Sequence, residues 1–113
     1  MFLDKFKWKV GHFGKNYKKM QIFTLPFCDF YIMKVNQGGY INAHFDKIDG
    51  KKHIRIDFIL PDTAEGGEFR FLRNKGKNIT LWRFVIFRAD KVLHWFAPVR
   101  KGSKTILSFG LFI

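Results

Sequence analysis

From Pro26 onward the chain is written as short β-type segments, each closed by a turn signal, with no helix-period stretch between them. Phe30 to Val35 reads as a strand, Asn36-Gln37-Gly38-Gly39 as a turn and Tyr40 to Ala43 as a second short strand. Asp49-Gly50-Lys51 is another turn. His53 to Leu60 alternates, with Ile54, Ile56 and Phe58 on one face, and Pro61-Asp62 ends it. Gly66-Gly67 precedes a strand from Glu68 to Leu72, and Asn74-Lys75-Gly76-Lys77 is a turn. Ile79 to Leu81, Phe84 to Phe87 and Val92 to Phe96 follow, and Gly102-Ser103 leads into a final strand from Lys104 to Ile113. Strands this short and this closely punctuated predict an all-β class with at most minor α, as a sandwich, jelly roll or barrel. They argue against a parallel α/β sheet, which needs a crossover helix between strands.

The final segment is apolar on both faces from Thr105 to Ile113, so it is expected to sit centrally in a sheet with cover on both sides. The start of the chain is less definite. Apolar residues at 2, 3, 6, 10 and 13 have a rough helical spacing, while 6, 8 and 10 alternate. A length of 113 residues suits one domain over 1–113. It divides into a basic, aromatic N-terminal segment at 1–29 and a β core at 30–113. Hydrophobic residues make up 47% of the chain, enough to exclude the disordered class.

The formal net charge is +12, with Lys5, Lys7, Lys9, Lys15, Lys18 and Lys19 crowded into the first 20 residues. A field of this sign favours anionic partners, nucleic acid among them. There is one cysteine, Cys28, so an internal disulfide is excluded and a reducing, cytoplasmic setting is expected. Cys28 lies in an apolar stretch and reads as a small core residue. No apolar run reaches 18 residues and no apolar block follows the N-terminal lysines, so neither a membrane-spanning helix nor a secretory signal is expected.

Of the four histidines, only His44 has a carboxylate two residues on, at Asp46. On an extended segment those positions share a face, so an imidazole and a carboxylate can converge on one ion. A lone His-x-Asp is weak evidence, because four His and seven Asp in 113 residues give about 0.25 such pairs by chance. His94, in the strand-like Val92 to Phe96, is a candidate third ligand. Two His and one carboxylate on one side of an ion suit non-haem Fe(II). Alternation places Lys104, Ile106, Ser108 and Gly110 on one face of the last strand, a polar lining for an interior. His53, Arg55 and Asp57 share the strand face opposite Ile54, Ile56 and Phe58 and are expected to be solvated or salt-bridged. His12 reads as a surface residue, and Trp8, Trp82 and Trp95 as core or rim packing, with Trp95 beside His94.

The stretch from Val35 to Ile113 resembles the Fe(II)/2-oxoglutarate dioxygenases, in particular the prolyl 4-hydroxylase-like branch. The matching text runs in order: Asn36-Gln37-Gly38-Gly39-Tyr40 before His44-Phe45-Asp46; Arg55 to Pro61; Glu65-Gly66-Gly67-Glu68-Phe69; Leu81 to Phe87; Leu93-His94-Trp95-Phe96-Ala97-Pro98-Val99; and Gly102-Ser103-Lys104. The resemblance implies a double-stranded β-helix of the jelly-roll, cupin-like kind, with His44, Asp46 and His94 as iron ligands. It implies Lys104 as the cation for the distal carboxylate of 2-oxoglutarate. Many members use Arg there, and Lys cannot form the bidentate fork. Ser108 or Tyr40, and more weakly Tyr31, would supply the companion hydroxyl. The implied activity is hydroxylation of a second substrate, a peptide side chain such as proline, with release of succinate and CO2 and with ascorbate as an accessory reductant. The alternative is an inactive jelly-roll module whose basic surface binds nucleic acid or an assembly partner. Family domains usually place helices ahead of the β core, and about 30 residues precede it here.

Overall fold

The computed structural model describes residues 8–10, 14–72, 78–81 and 83–113. His12, Trp82 and the turn expected at 74–77 lie outside them. The described residues form eleven strands and no helix: β1 (Trp8–Val10), β2 (Gly14–Thr24), β3 (Cys28–His44), β4 (His53–Ile59), β5 (Glu65–Gly66), β6 (Phe69–Phe71), β7 (Asn78–Leu81), β8 (Phe84–Arg88), β9 (His94–Phe96), β10 (Val99–Lys101) and β11 (Lys104–Phe112). No helix among them is long and apolar enough to cross a membrane.

The main sheet has the order β1-β2-β3-β11-β4-β8-β7, and all its pairs are antiparallel. β11 lies between β3 and β4, the central place that its two apolar faces require. β9 pairs with both β3 and β6, and β10 pairs with β5, which supplies the second layer. The core between the layers is lined by Tyr17, Met33, Val35, Ile41, Phe96, Val99 and Ile106, with Val85, Phe87, Ala89 and Val92 in a neighbouring cluster. Cys28 is buried, as expected of a small core residue. Trp8, read as core or rim, is 44% exposed and is not part of the core.

Two local readings are corrected by this architecture. The segment left open between helix and strand contributes an 11-residue strand, β2, which pairs along much of β3 and buries Tyr17. The Asn36-Gln37-Gly38-Gly39 signal marks a bulge inside one 17-residue strand and does not turn the chain back. The register jumps there, from Tyr17 opposite Val35 to Lys15 opposite Tyr40. Asn16 and Gly38 adopt positive φ, 50° and 81°. Such a bulge bends a strand and raises its twist. Residues 28–35 therefore pair with β11, while Ile41 and His44 pair with Phe96 and His94 of β9.

Gly39 makes this bend possible, because a Cβ there would lie 2.5 Å from the Asn16 carbonyl oxygen and 2.7 Å from that of Asn36. Gly39→Ala is expected to destabilise the fold by about 2 kcal/mol, the scale of overpacking and backbone strain. Gly50→Ala, at φ 70° but in open space, should cost about 1 kcal/mol. Denaturant titration of the two variants compares them, and equal midpoints would contradict this account of the bulge.

Candidate metal centre

The end of β3 and the start of β9 bring two imidazoles together, their planes tilted by 56°. His44 and His94 are register partners, with ring centroids 4.4 Å apart. Asp46 lies just beyond β3, where its backbone N–H donates to the Ala89 carbonyl at 2.8 Å. One ligand atom from each of His44, Asp46 and His94 falls within 4.8 Å of the others. Asp46 Oδ2 is 3.2 Å from His94 Nε2 and 3.6 Å from His44 Nε2.

The other ring nitrogens fix the tautomers. A backbone carbonyl can only accept, so His44 Nδ1–H donates to the Asn42 carbonyl (2.6 Å) and His94 Nδ1–H to that of Val92 (2.8 Å). In the neutral rings each Nε2 then carries a lone pair, and both lone pairs face the same carboxylate oxygen. Three acceptors converging on one point repel unless a cation sits among them. Protons can serve, and so can a metal ion. Burial pushes the His44 pKa down, but the hydrogen bonds to Asp46 and to the Asn42 carbonyl outweigh it and raise the pKa above the usual histidine value. Burial would likewise raise the Asp46 pKa, but hydrogen bonds from His44 and His94 hold it well below the usual carboxylate range.

The donor set fits a divalent transition metal. Two donors each about 2.1 Å from an ion and at right angles are about 3.0 Å apart, close to the shorter imidazole–carboxylate separation observed. A histidine that gives its second N–H to a carbonyl is the usual orientation for a metal ligand. Phe69, Phe87 and Phe96 wall this end: the Phe87 ring is 4.8 Å and the Phe69 ring 6.2 Å from that of His94.

The three side chains open onto a cavity whose lining also includes Tyr17, Lys19, Tyr31, Arg55 and Asp57. Lys104 and Tyr40 are absent from that lining. Lys104 is half-buried with its aliphatic stem against Gly67, and Ile106, fully buried, follows it on the same face. Tyr40 is half-buried opposite Lys15. Ser108 is fully buried, but it is committed to Arg55 and Asp57. Trp95 is half-buried, alternates with the buried His94 and Phe96 and does not line the cavity.

His53, Arg55 and Asp57, expected on a solvated or salt-bridged face, are 4%, 3% and 4% exposed and point inward, with Arg55 salt-bridged to Asp29. The reason is register. Gly110 lies opposite Arg55 and Ser108 opposite Asp57, and directly paired residues share a face. Gly110 leaves room for the guanidinium, since a Cβ there would collide with Arg55 and Asp29. Arg55 Nη2 is 2.9 Å from Asp29 Oδ1, its Nε donates to Ser108 Oγ at 2.7 Å, and its carbon centre lies 4.4 Å from the Tyr31 ring centroid. Ser108 donates in turn to Asp57. Burial raises the Asp57 pKa despite Arg55 and Ser108, and burial pushes that of Tyr31 up to about 12. The inward face could have been found only from the partner strand, because alternation separates two faces without saying which is inside.

His53 joins this network to the metal centre. Its Nδ1–H donates to the Asp46 carbonyl at 2.9 Å, and its Nε2 accepts from Arg55 Nη1 at 3.0 Å. Burial lowers its pKa, keeping the ring neutral as this pattern requires. Asp46 is thus held through both backbone groups. His53→Ala is expected to weaken divalent-metal affinity by about 10- to 100-fold, the usual effect of losing an outer-shell partner, with calorimetry as the measurement. An unchanged affinity would remove His53 from any positioning role. Arg55→Met strands Asp29 in a mostly buried site and should lower unfolding stability by about 3 kcal/mol, measured by urea titration.

No family model matches the chain, and no curated protein matches it. Solved structures do resemble it. A cupin-2 domain protein of Rhodospirillum rubrum superposes with a TM-score of 0.62 at 12% identity, over 91% of this chain and 64% of its own. A Pseudomonas putida prolyl-4-hydroxylase gives 0.64 at 13% identity, over 85% of this chain and 70% of its own. A 2OG-Fe(II) oxygenase family oxidoreductase of Burkholderia pseudomallei gives 0.56 at 18% identity, over 84% of this chain and 43% of its own. The chain thus spans under two thirds of the length of the first and last of these. At such identities the likeness is one of architecture: the chain has the cupin-type jelly-roll fold.

Proposed function

We propose that the chain is an Fe(II)- and 2-oxoglutarate-dependent oxygenase that hydroxylates a second substrate, with a peptide side chain such as proline the favoured class. The observation that carries this reading is the convergence of two Nε2 lone pairs and one carboxylate oxygen on a common point beside a cavity. Two imidazoles and a carboxylate leave open positions for a chelating co-substrate and oxygen. Bound iron and 2-oxoglutarate would supply the oxidising power, with succinate and CO2 as co-products. His44, Asp46 and His94 would hold the ion. The backbone of Ala89 and the His53 ring fix Asp46, and Phe69, Phe87 and Phe96 keep water from the imidazole face. The resemblance of Val35 to Ile113 and the oxygenases among the structural neighbours support the same reading.

A second substrate class, nucleic acid, is favoured by the outer surface. Exposed Lys18 and Lys34 lie directly opposite each other across β2 and β3, a like-charge pair that a bound phosphate would relieve.

Anaerobic titration with Fe(II) and then 2-oxoglutarate is expected to give a metal-to-ligand absorbance band in the wild-type protein and none in His44→Ala or His94→Ala. Mass spectrometry should detect succinate when oxygen is admitted with a suitable peptide or oligonucleotide. A featureless titration of folded wild-type protein would refute the oxygenase and leave a jelly-roll binding module. Affinity for an oligonucleotide that barely changes with salt would exclude a phosphate-dominated partner.

A further inference from the structure

The cavity beside the metal centre contains a positive charge that no neighbouring side chain neutralises by contact. Lys19, on β2, is half-buried and lines this cavity together with His44, Asp46 and His94. Its Nζ lies 4.2 Å from the Tyr31 ring centroid. Among the described residues it makes no hydrogen bond and no ion pair. The groups around it are all committed elsewhere. Asp29 pairs with Arg55, Asp57 accepts from Ser108, and Asp46 faces the two imidazoles. Arg55 also borders the cavity, but its charge is paired with Asp29 at 2.9 Å, while its Nε donates to Ser108 and its Nη1 to His53. Burial first, and the Arg55 charge after it, act against the Lys19 ammonium and lower its pKa. A partly desolvated ammonium beside a second cation calls for an anion.

We propose that Lys19 is the carboxylate-binding residue of this cavity, holding the far carboxylate of a dicarboxylate whose other end lies at His44, Asp46 and His94. This rests on the oxygenase reading and specifies it. The co-substrate's anchor comes from β2 and not from Lys104, which does not line the cavity. The Tyr31 ring fixes the ammonium from one side and leaves its remaining donors for the ligand. A second cavity, toward Phe45, Lys47 and Phe112, shares Lys19, Tyr31, Asp46 and Arg55 with the first. Lys19 therefore stands at the junction of the two, where a bound carboxylate would separate an inner co-substrate space from an outer one.

The test compares wild type, Lys19→Ala, Lys19→Arg and Lys104→Ala as full chains. Fe(II) alone is titrated first, and its affinity should be the same within about twofold in all four, because none of the substitutions removes a ligand. Anaerobic 2-oxoglutarate is then titrated into each loaded protein. Lys19→Ala should bind it at least tenfold more weakly, Lys19→Arg within a few fold of wild type, and Lys104→Ala as wild type. Pyruvate keeps the chelating oxo-acid and lacks the second carboxylate, so it should bind wild type and Lys19→Ala alike. Equal 2-oxoglutarate affinity in wild type and Lys19→Ala overturns the proposal, as does a loss confined to Lys104→Ala or a parallel loss for pyruvate. Calorimetry with metal-free protein and glutarate gives a readout that needs no iron. Weaker binding to Lys19→Ala than to wild type supports the carboxylate site even if Fe(II) fails to bind, a failure that would refute the oxygenase alone. Absence of both glutarate and 2-oxoglutarate binding in wild type refutes the Lys19 assignment.

Discussion

One strand serves two sets of partners, β2 and β11 along its first half and β9 at its end, and the candidate site depends on how it bends. Cys28–His44 runs unbroken through a bulge at Asn36 to Gly39. Its first half places Tyr31 and Met33 in the cavity wall, and its second half carries His44 to His94. A regular strand would run straight on past β11 instead of turning its last residues toward β9. The bulge bends it, and the close approach of backbone carbonyls at Gly39 admits no side chain. Local backbone geometry thus fixes the distance between two imidazoles that are 50 residues apart in sequence.

The interior joined to that strand is polar to an unusual degree for so small a chain. Arg55, Asp57, His53 and Ser108 are each at most 5% exposed, and they are tied into one hydrogen-bonded set that ends on the Asp46 backbone. Buried charges are tolerated only when paired, and Asp29 with the Tyr31 ring completes the pairing. An apolar interior would pack more simply. A polar one holds the Asp46 backbone from behind, through His53, and lines the space beside the His44–Asp46–His94 cluster with charged groups. The excess positive charge at Lys19 follows from the same arrangement, since every nearby acid already has a partner.

Much of the fold was legible in the residues. His53 to Ile59, Phe84 to Arg88 and Lys104 to Phe112 are strands within a residue or two of their apolar patterns, and the two-faced apolar run of the last strand announced its central place. Gly50, at positive φ, closes the turn that its sequence indicated. Two signals misled for identifiable reasons. Asn-Gln-Gly-Gly is compatible with a turn or a bulge, because both need positive φ, and only the partner strand distinguishes them. The lysines of β2 concealed a strand, since Lys18 faces outward while Lys19 shares the inward face with Tyr17.

By itself the sequence determined the β class, the approximate strand positions and the nearness of His44 to Asp46, because alternation and i, i+2 spacing are local properties of an extended chain. It could not determine which face of β4 lies inside, whether Lys104 reaches the cavity, or that Lys19 does. A period of two defines a pair of faces without a direction, and direction is set by the register of the neighbouring strand. Pairing Ser108 with Asp57 and Gly110 with Arg55 turned a charged face inward, and only the assembled sheets could make that choice.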